Sequence, residues 1–216
     1  MAQKKLESLW QKGRKQMLND VTVFNIREYL SAKGDKDLGE DELRQLLSDF
    51  FCDKNPDVER FLKEQSIEFT KKNQSVTYLV FSNEDASLVG YFTITIKPIT
   101  VNAENFSNTM KRKIARVSEL DEENGTYTLS AYLIAQLGKN FKDGANEKIT
   151  GEQLLHAAVD TIKELQYMAG GMVIFLDDKL MHFYEDENGF KQFDVREMKC
   201  RDKDEIHKLV QLLKVM

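Results

Sequence analysis

The chain has 216 residues, 41% of them hydrophobic and 31% charged, which suits one compact domain with a sizeable core and no large disordered part. Lys and Arg number 31 against 36 Asp and Glu, a net charge of -5, which disfavours a generally basic nucleic-acid-coating protein but leaves room for a local basic patch. No apolar run approaches the roughly 18 residues of a membrane span, and residues 1 to 20 are basic without the apolar core of a signal peptide, so a cytoplasmic protein with no membrane association is expected.

Residues 1 to 20 read as an N-terminal extension carrying Lys4, Lys5, Lys12, Arg14 and Lys15, with Leu6, Leu9 and Trp10 on one helical face. Residues 21 to 216 read as a single domain, since neither Pro56 nor Pro98 marks a linker and no repeat or low-complexity tract occurs. Val21 to Ile26 predicts a strand. DELRQLLSDFF and DVERFLKEQSIEFTKK, with apolar residues three and four apart, predict two helices. TYLVF and LVGYFTITI follow as strands, the second alternating Phe92, Ile94 and Ile96 with Tyr91, Thr93 and Thr95, as a strand with one buried face does. A polar segment, Thr100 to Asn124, contains MKRKIAR. TYTLSAYLIAQL then alternates again, with Leu129, Ala131, Leu133, Ala135 and Leu137 on one face and Gly138 closing the strand.

After a polar loop, a helix starts near Thr150 and Gly151, with Leu155, Ala158, Ile162 and Leu165 on its inner stripe. GGMVIFL is an uninterrupted apolar run, as in a central strand covered on both faces. A short helix carrying LMHFYEDE, a turn at Asn188 and Gly189, a strand FKQFDVRE and a C-terminal helix DEIHKLVQLLK complete the expected order. The fold class is mixed α/β (α+β), a central, mixed but mostly antiparallel sheet flanked by helices, with one strand-helix-strand unit late in the chain.

Chemistry concentrates in NEKITGEQLLHAA, Asn146 to Ala158. Glycine in the first turn of a good helix costs about 1 kcal/mol relative to alanine, so close approach of a ligand to the backbone would account for it. A strand, a loop and a helix N-terminus together present unpaired N–H groups and the positive end of the helix dipole, which suits a phosphate or pyrophosphate. Thr150 and Gln153 match a capping box. By itself such a helix needs no ligand, and the segment matches neither GxxxxGK[ST] nor GxGxxG. Cys52 and Cys200 fit neither a disulfide framework nor a zinc pattern, and His156, His182 and His207 lack ligand spacing, so no structural metal is expected.

Taken in order, GYFTIT, LIAQLGKN, KITGEQLLHAA, GGMVIFL and HFYEDENGF resemble the GNAT superfamily of acyl-CoA-dependent N-acyltransferases, over approximately Leu43 to Phe193. FYEDENGF is similar to that superfamily's FYEKxGF. The resemblance implies a GNAT fold and acetyl-CoA as cofactor. It implies that Leu137, Gly138 and Lys139 line the pantetheine and the acyl group, and that Asn146, Glu147, Lys148, Ile149, Thr150 and Gly151 form the pyrophosphate loop. Where the superfamily's loop carries further glycines this chain has Glu147 and Ile149, with Lys142 and Lys148 available as compensating charge. Tyr184 is implied as the general acid that protonates the departing thiolate. His182 and Glu185 are candidate proton acceptors, and a strand N–H of Gly138 or Lys139 would polarise the thioester carbonyl.

The implied reaction is acetyl transfer to a primary amine by direct attack, the acceptor being a small molecule, a peptide or a protein. SNTMKRKIAR followed by LIAQLGKN is also similar to the GNAT toxins of bacterial toxin-antitoxin systems, which acetylate aminoacyl-tRNA. That narrower resemblance implies tRNA as partner and Lys111, Arg112, Lys113 and Arg116 as its phosphate contacts, although Gln136 stands where that group has arginine. A third reading is a non-catalytic binding module on the same fold, motivated by Glu147 and the missing glycines. Dimers are common in the superfamily, so a homodimer is among the implied assemblies.

Overall fold

A computed structural model describes residues 16–18, 20–30, 39–171, 173–178, 191–199 and 206–215. The chain divides into two compact units, residues 1–95 with 135–163 and residues 96–134 with 164–216.

In the first unit β1 (Gln16–Leu18), β2 (Val21–Asn25), β3 (Val76–Ser82) and the first part of β4 (Leu88–Asn102) are neighbours in that order, each pair whose register is defined being antiparallel. The end of the N-terminal extension is thus a strand, and Leu6, Leu9 and Trp10 lie outside the described residues. Between β2 and β3 run α1 (Ile26–Leu30), α2 (Glu40–Ser48), α3 (Pro56–Arg60) and α4 (Ser66–Lys71). Pro56 opens α3, where its missing N–H is no loss and its fixed φ suits the first turn. Between α3 and α4 the ladder widens into a π segment, Phe61–Gln65, which buries Phe61 and Leu62 together with Ser66 and Ile67 just beyond it. Phe24, Ile26, Leu43, Leu47, Phe50, Leu62, Leu79, Phe81 and Tyr91 make the core of this unit.

β4 departs from the expected single buried face. Leu88 through Ile94 are buried on both faces, and the hydroxyls of Thr77 and Thr93 bond each other at 2.8 Å, which satisfies two polar groups inside. Ile96, expected on the buried face, is 62% exposed.

The second unit holds the remainder of β4, α5 (Asn108–Ile114), β5 (Leu120–Asp121), most of β6 (Thr126–Lys139), β7 (Val173–Asp178), β8 (Lys191–Lys199) and β9 (Ile206–Val215). Its order is β6-β7-β9-β8, with β5 on β6; β7 is parallel to β6 and the other pairs are antiparallel. Ile99, Val101, Ile114, Tyr127, Leu129, Ala131 and Leu133 form its core. The predicted C-terminal helix is instead β9, paired to β7 on one side and to β8 on the other. Two ladders outweigh a helical propensity that is only a weak local bias. The predicted helix at LMHFYEDE lies outside the described residues.

The helix read from Thr150 is α6 (Gly151–Ala169), with residues in both units, and Leu155, Ala158 and Ile162 are fully buried as expected while Leu165 is half-buried. Gly170 and Gly171, read from sequence as the start of the next strand, end this helix in left-handed conformations with φ 76° and 106°. Gly170 N–H closes on Gln166 O at 2.7 Å, and the Tyr132 hydroxyl donates to Gly170 O at 2.6 Å. The fold is mixed α/β, its sheet mostly antiparallel with helices against it.

Candidate functional site

The end of β6, the loop after it and the start of α6 all belong to the first unit. Strict alternation on β6 holds from Tyr127 to Ala131; Tyr132, Leu133 and Ile134 are then buried in succession, and toward the strand end Ala135 is exposed, Leu137 half-buried and Gly138 buried. At the strand end the closest packing is at Gly138. A Cβ there would lie 2.3 Å from Val58 Cγ1 and 3.3 Å from Tyr91 Cε1, and a Cβ on Gly90 would lie 2.9 Å from Gly138 O. β6 therefore runs against α3 and β4 at a separation that side chains at these two positions would forbid.

Asn140, quoted in the resemblance but not assigned a role, anchors the strand end and the start of the next loop. Its amide accepts from Phe51 N–H at 2.9 Å and Lys142 N–H at 3.1 Å and donates to Leu88 O at 2.8 Å, while its own N–H donates to Val89 O at 2.9 Å. At 4% exposure it joins the end of β6 to β4 and to the loop between α2 and α3. A lone asparagine after a strand gives no sequence signal for this, because its four partners lie 2 to 89 positions away.

The loop Lys142–Lys148 is a 3-10 segment kinked by left-handed Asp143 and Gly144, with φ 50° and 74°. Ala145 and Ile149 are buried and pin it, so Ile149 offers only its backbone outward, while Asn146 is half-buried and Glu147 and Lys148 are exposed. The two lysines expected to compensate for Glu147 already have carboxylates: Lys142 meets Asp49 at 2.5 Å, and Lys148 bonds Asp85 and, at 3.3 Å, Ser87 Oγ. Hydrogen bonds from Lys148 and then Ser87 hold the Asp85 carboxyl at about 2, from an ordinary 3.8.

The capping box forms as read. Thr150 Oγ1 accepts from Gln153 N–H at 3.0 Å, and Gln153 Oε1 accepts from Thr150 N–H at 2.8 Å. With Leu154 N–H bonded to Thr150 O, the N–H groups of Gly151 and Glu152 have no acceptor among the described residues. They are the two donors that a phosphate oxygen would meet at the positive end of a 19-residue helix.

Lys139 is half-buried, and burial first, then the Lys54 ammonium, pull its own ammonium below the ordinary value. Lys54 Nζ also sits 4.9 Å from the Phe141 ring centroid. In the second unit, Ser107 caps α5 by accepting from Met110 N–H, and Ile114 is buried. Arg112, Lys113 and Arg116 are exposed and Lys111 half-buried, none of the four in an ion pair among the described residues. Tyr184, His182 and Glu185 lie outside the described residues. No helix among the described residues is long and apolar enough to cross a membrane, and no three His, Cys, Asp or Glu side chains among them converge as metal ligands would.

No protein-family model matches the sequence, and no curated protein matches it. Solved structures do match. A structure described as AtaT complexed with acetyl-methionyl-tRNAfMet superposes with a TM-score of 0.56 at 12% identity, covering 88% of this chain and 94% of AtaT. A mutant of KacT matches with a TM-score of 0.57 at 14% identity, covering 91% and 95%. A mutant AtaT toxin bound to the C-terminus of its antitoxin AtaR and acetyl-CoA matches at 0.52 and 12% identity, covering 91% and 94%. Similarity over about nine-tenths of each chain at such low identity carries the architecture, and the fold of this protein is the GNAT fold.

Proposed function

We propose that this protein is an acetyl-CoA-dependent N-acetyltransferase, residues 21 to 216 acting as one acyltransferase domain. The observation that carries the reading is the free pair of N–H groups, Gly151 and Glu152, at the start of α6, one loop after the close-packed end of β6. These residues fit a coenzyme A pyrophosphate: two main-chain donors, a helix dipole and a buried Ile149 that fixes the loop. Glu147 is exposed and has no part in pinning the loop, so its carboxylate is free to point away from a bound phosphate.

When bound, the thioester supplies the acetyl group to the attacking amine. The chain's contribution is to position the reactants, with the backbone at Gly138 and Lys139 directed at the carbonyl oxygen and the Tyr184 phenol returning a proton to the sulfur. Calorimetric titration of the full chain with acetyl-CoA tests the proposal. Saturable binding that Gly151→Glu weakens at least tenfold is expected; no binding at millimolar acetyl-CoA would leave a non-catalytic binding module as the reading.

A second, narrower reading is acetylation of the amino group of aminoacyl-tRNA. What favours it is the basic run on and after α5, three of its four side chains exposed, in a chain of net charge -5, together with the likeness to AtaT described with acetyl-methionyl-tRNAfMet. Neutralising Lys111, Arg112 and Lys113 together should then weaken tRNA binding and flatten its salt dependence by about three in log-log slope, near one for each cation that no longer meets a phosphate. A slope that does not change removes tRNA from the acceptors served by this patch.

A further inference from the structure

The lysines at the edges of the loop and helices are paired: Lys142 with Asp49, Lys148 with Asp85, Lys63 with Glu59 and Lys71 with Glu40. Lys54 and Lys139 are not. Neither has a carboxylate within ion-pair distance among the described residues, although Asp53 and Glu59 stand near the same loop, where they act on Cys52.

The backbone forces these two lysines together. Phe51 N–H donates to Asn140 Oδ1 at 2.9 Å and Phe141 N–H donates to Phe51 O at 2.7 Å, a clasp that holds the loop between α2 and α3 against the end of β6. Across it the Lys54 ammonium is set over the Phe141 ring at 4.9 Å and close enough to Lys139 to act on its charge. Phe51, 46% exposed, adds a second aromatic ring to the same clasp. Two like charges at one place, one of them half withdrawn from water and with no carboxylate within ion-pair distance among the described residues, are an electrostatic defect in the protein alone. Such an arrangement is relieved by an anion from outside.

We propose that Lys54 and Lys139, with the Phe141 ring beside them, form a binding subsite for a phosphate group of a ligand that docks at the end of β6. A phosphate suits the site better than a carboxylate. Its two negative charges match two ammoniums, its oxygens accept from both, and the ring beside the pair gives a flat group attached to the phosphate a face to lie on. The phosphate belongs either to the cofactor or to the acceptor. The subsite deepens the acetyltransferase reading if either holds, but it does not require the reaction.

Titration of the full chain with inorganic pyrophosphate, followed by calorimetry, tests the subsite without any acetyl transfer. Lys54→Gln and Lys139→Gln are each expected to weaken pyrophosphate binding about tenfold, Lys54→Arg to keep it within twofold, and Lys97→Gln, an exposed lysine on β4, to leave it unchanged. Equal losses in acetyl-CoA affinity would assign the phosphate to the cofactor. Intact acetyl-CoA affinity together with lost binding of a short 5′-phosphorylated oligonucleotide would assign it to the acceptor. Pyrophosphate binding that neither glutamine variant alters, with both variants folded by circular dichroism, overturns the proposal. Absence of acetyl-CoA binding beside lysine-dependent pyrophosphate binding would instead sink only the acetyltransferase reading.

Discussion

Gly138 has no room for a side chain. A β-carbon there would meet Val58 at 2.3 Å, and both α3 and β4 would have to shift. Gly138→Ala is accordingly expected to lower the unfolding free energy by about 1 to 3 kcal/mol, read from the urea midpoint, and to weaken acetyl-CoA binding if the strand end is where the thioester lies. Gly151 differs in kind, because it has no positive φ and so no backbone need to be glycine. Gly151→Ala should raise stability by up to about 1 kcal/mol while weakening acetyl-CoA, and a variant that gains stability without losing affinity would refute close approach at that position. Asp85 supplies the pH dependence. Its folded value, about 2, lies below that of the unfolded chain, so the stability it contributes is present above about pH 4 and is lost as the pH falls toward 2. Because the Lys148 pair is largely exposed, that contribution stays below about 1 kcal/mol and is screened by salt. The stability difference between the wild type and Asp85→Asn should shrink as the pH drops from 6 to 3.

Among the elements, α6 follows its sequence most closely. The capping box at Thr150 and Gln153 was readable because it is local, three residues wide, each side chain accepting from the other residue's backbone N–H. Thr150→Ala should cost about 1 kcal/mol, measured by thermal or urea unfolding, and should leave β6 undisturbed. The helix end was less legible. Gly170 and Gly171 stand next to an apolar run and read as part of it, yet their left-handed conformations belong to the helix terminus and to the Tyr132 hydroxyl bond. Likewise β6 loses its alternation after Ala131, and at its end β4 and α3 close on Gly138 in a close backbone approach. β9 shows the same limit: IHKLVQLLKV suits a helix by spacing, and only its two neighbours in the sheet make it a strand.

For the whole molecule, the order of the main elements from β2 to β7 and the mixed, mostly antiparallel sheet were readable from periodicity, while β1, α5, β5 and the strand identity of β9 were not, and the GNAT resemblance was readable from five short motifs in series. The proposed chemistry rests on Tyr184. Tyr184→Phe should leave acetyl-CoA affinity within twofold and lower kcat by at least tenfold, in an assay with an accepted amine; unchanged turnover would remove the tyrosine from the proton path. The basic run at Lys111 to Arg116 belongs to a different compact unit from the end of β6, so under the proposed function its neutralisation should change tRNA affinity without changing acetyl-CoA affinity.

Local features were fixed by the chain alone: the cap at Thr150, the buried stripe of α6, the early strands and the charge balance all depend on residues a few positions apart. The tertiary structure decided whatever depends on distant partners. Asn140 becomes an anchor only because Phe51 and Leu88 come to it, Lys142 and Lys148 lose their free charge only because Asp49 and Asp85 meet them, and Lys54 and Lys139 share one place only because a backbone clasp brings their segments together. Spacing along a chain encodes which face of an element a residue occupies, but the identity of the group opposite is set by packing between segments dozens of residues apart.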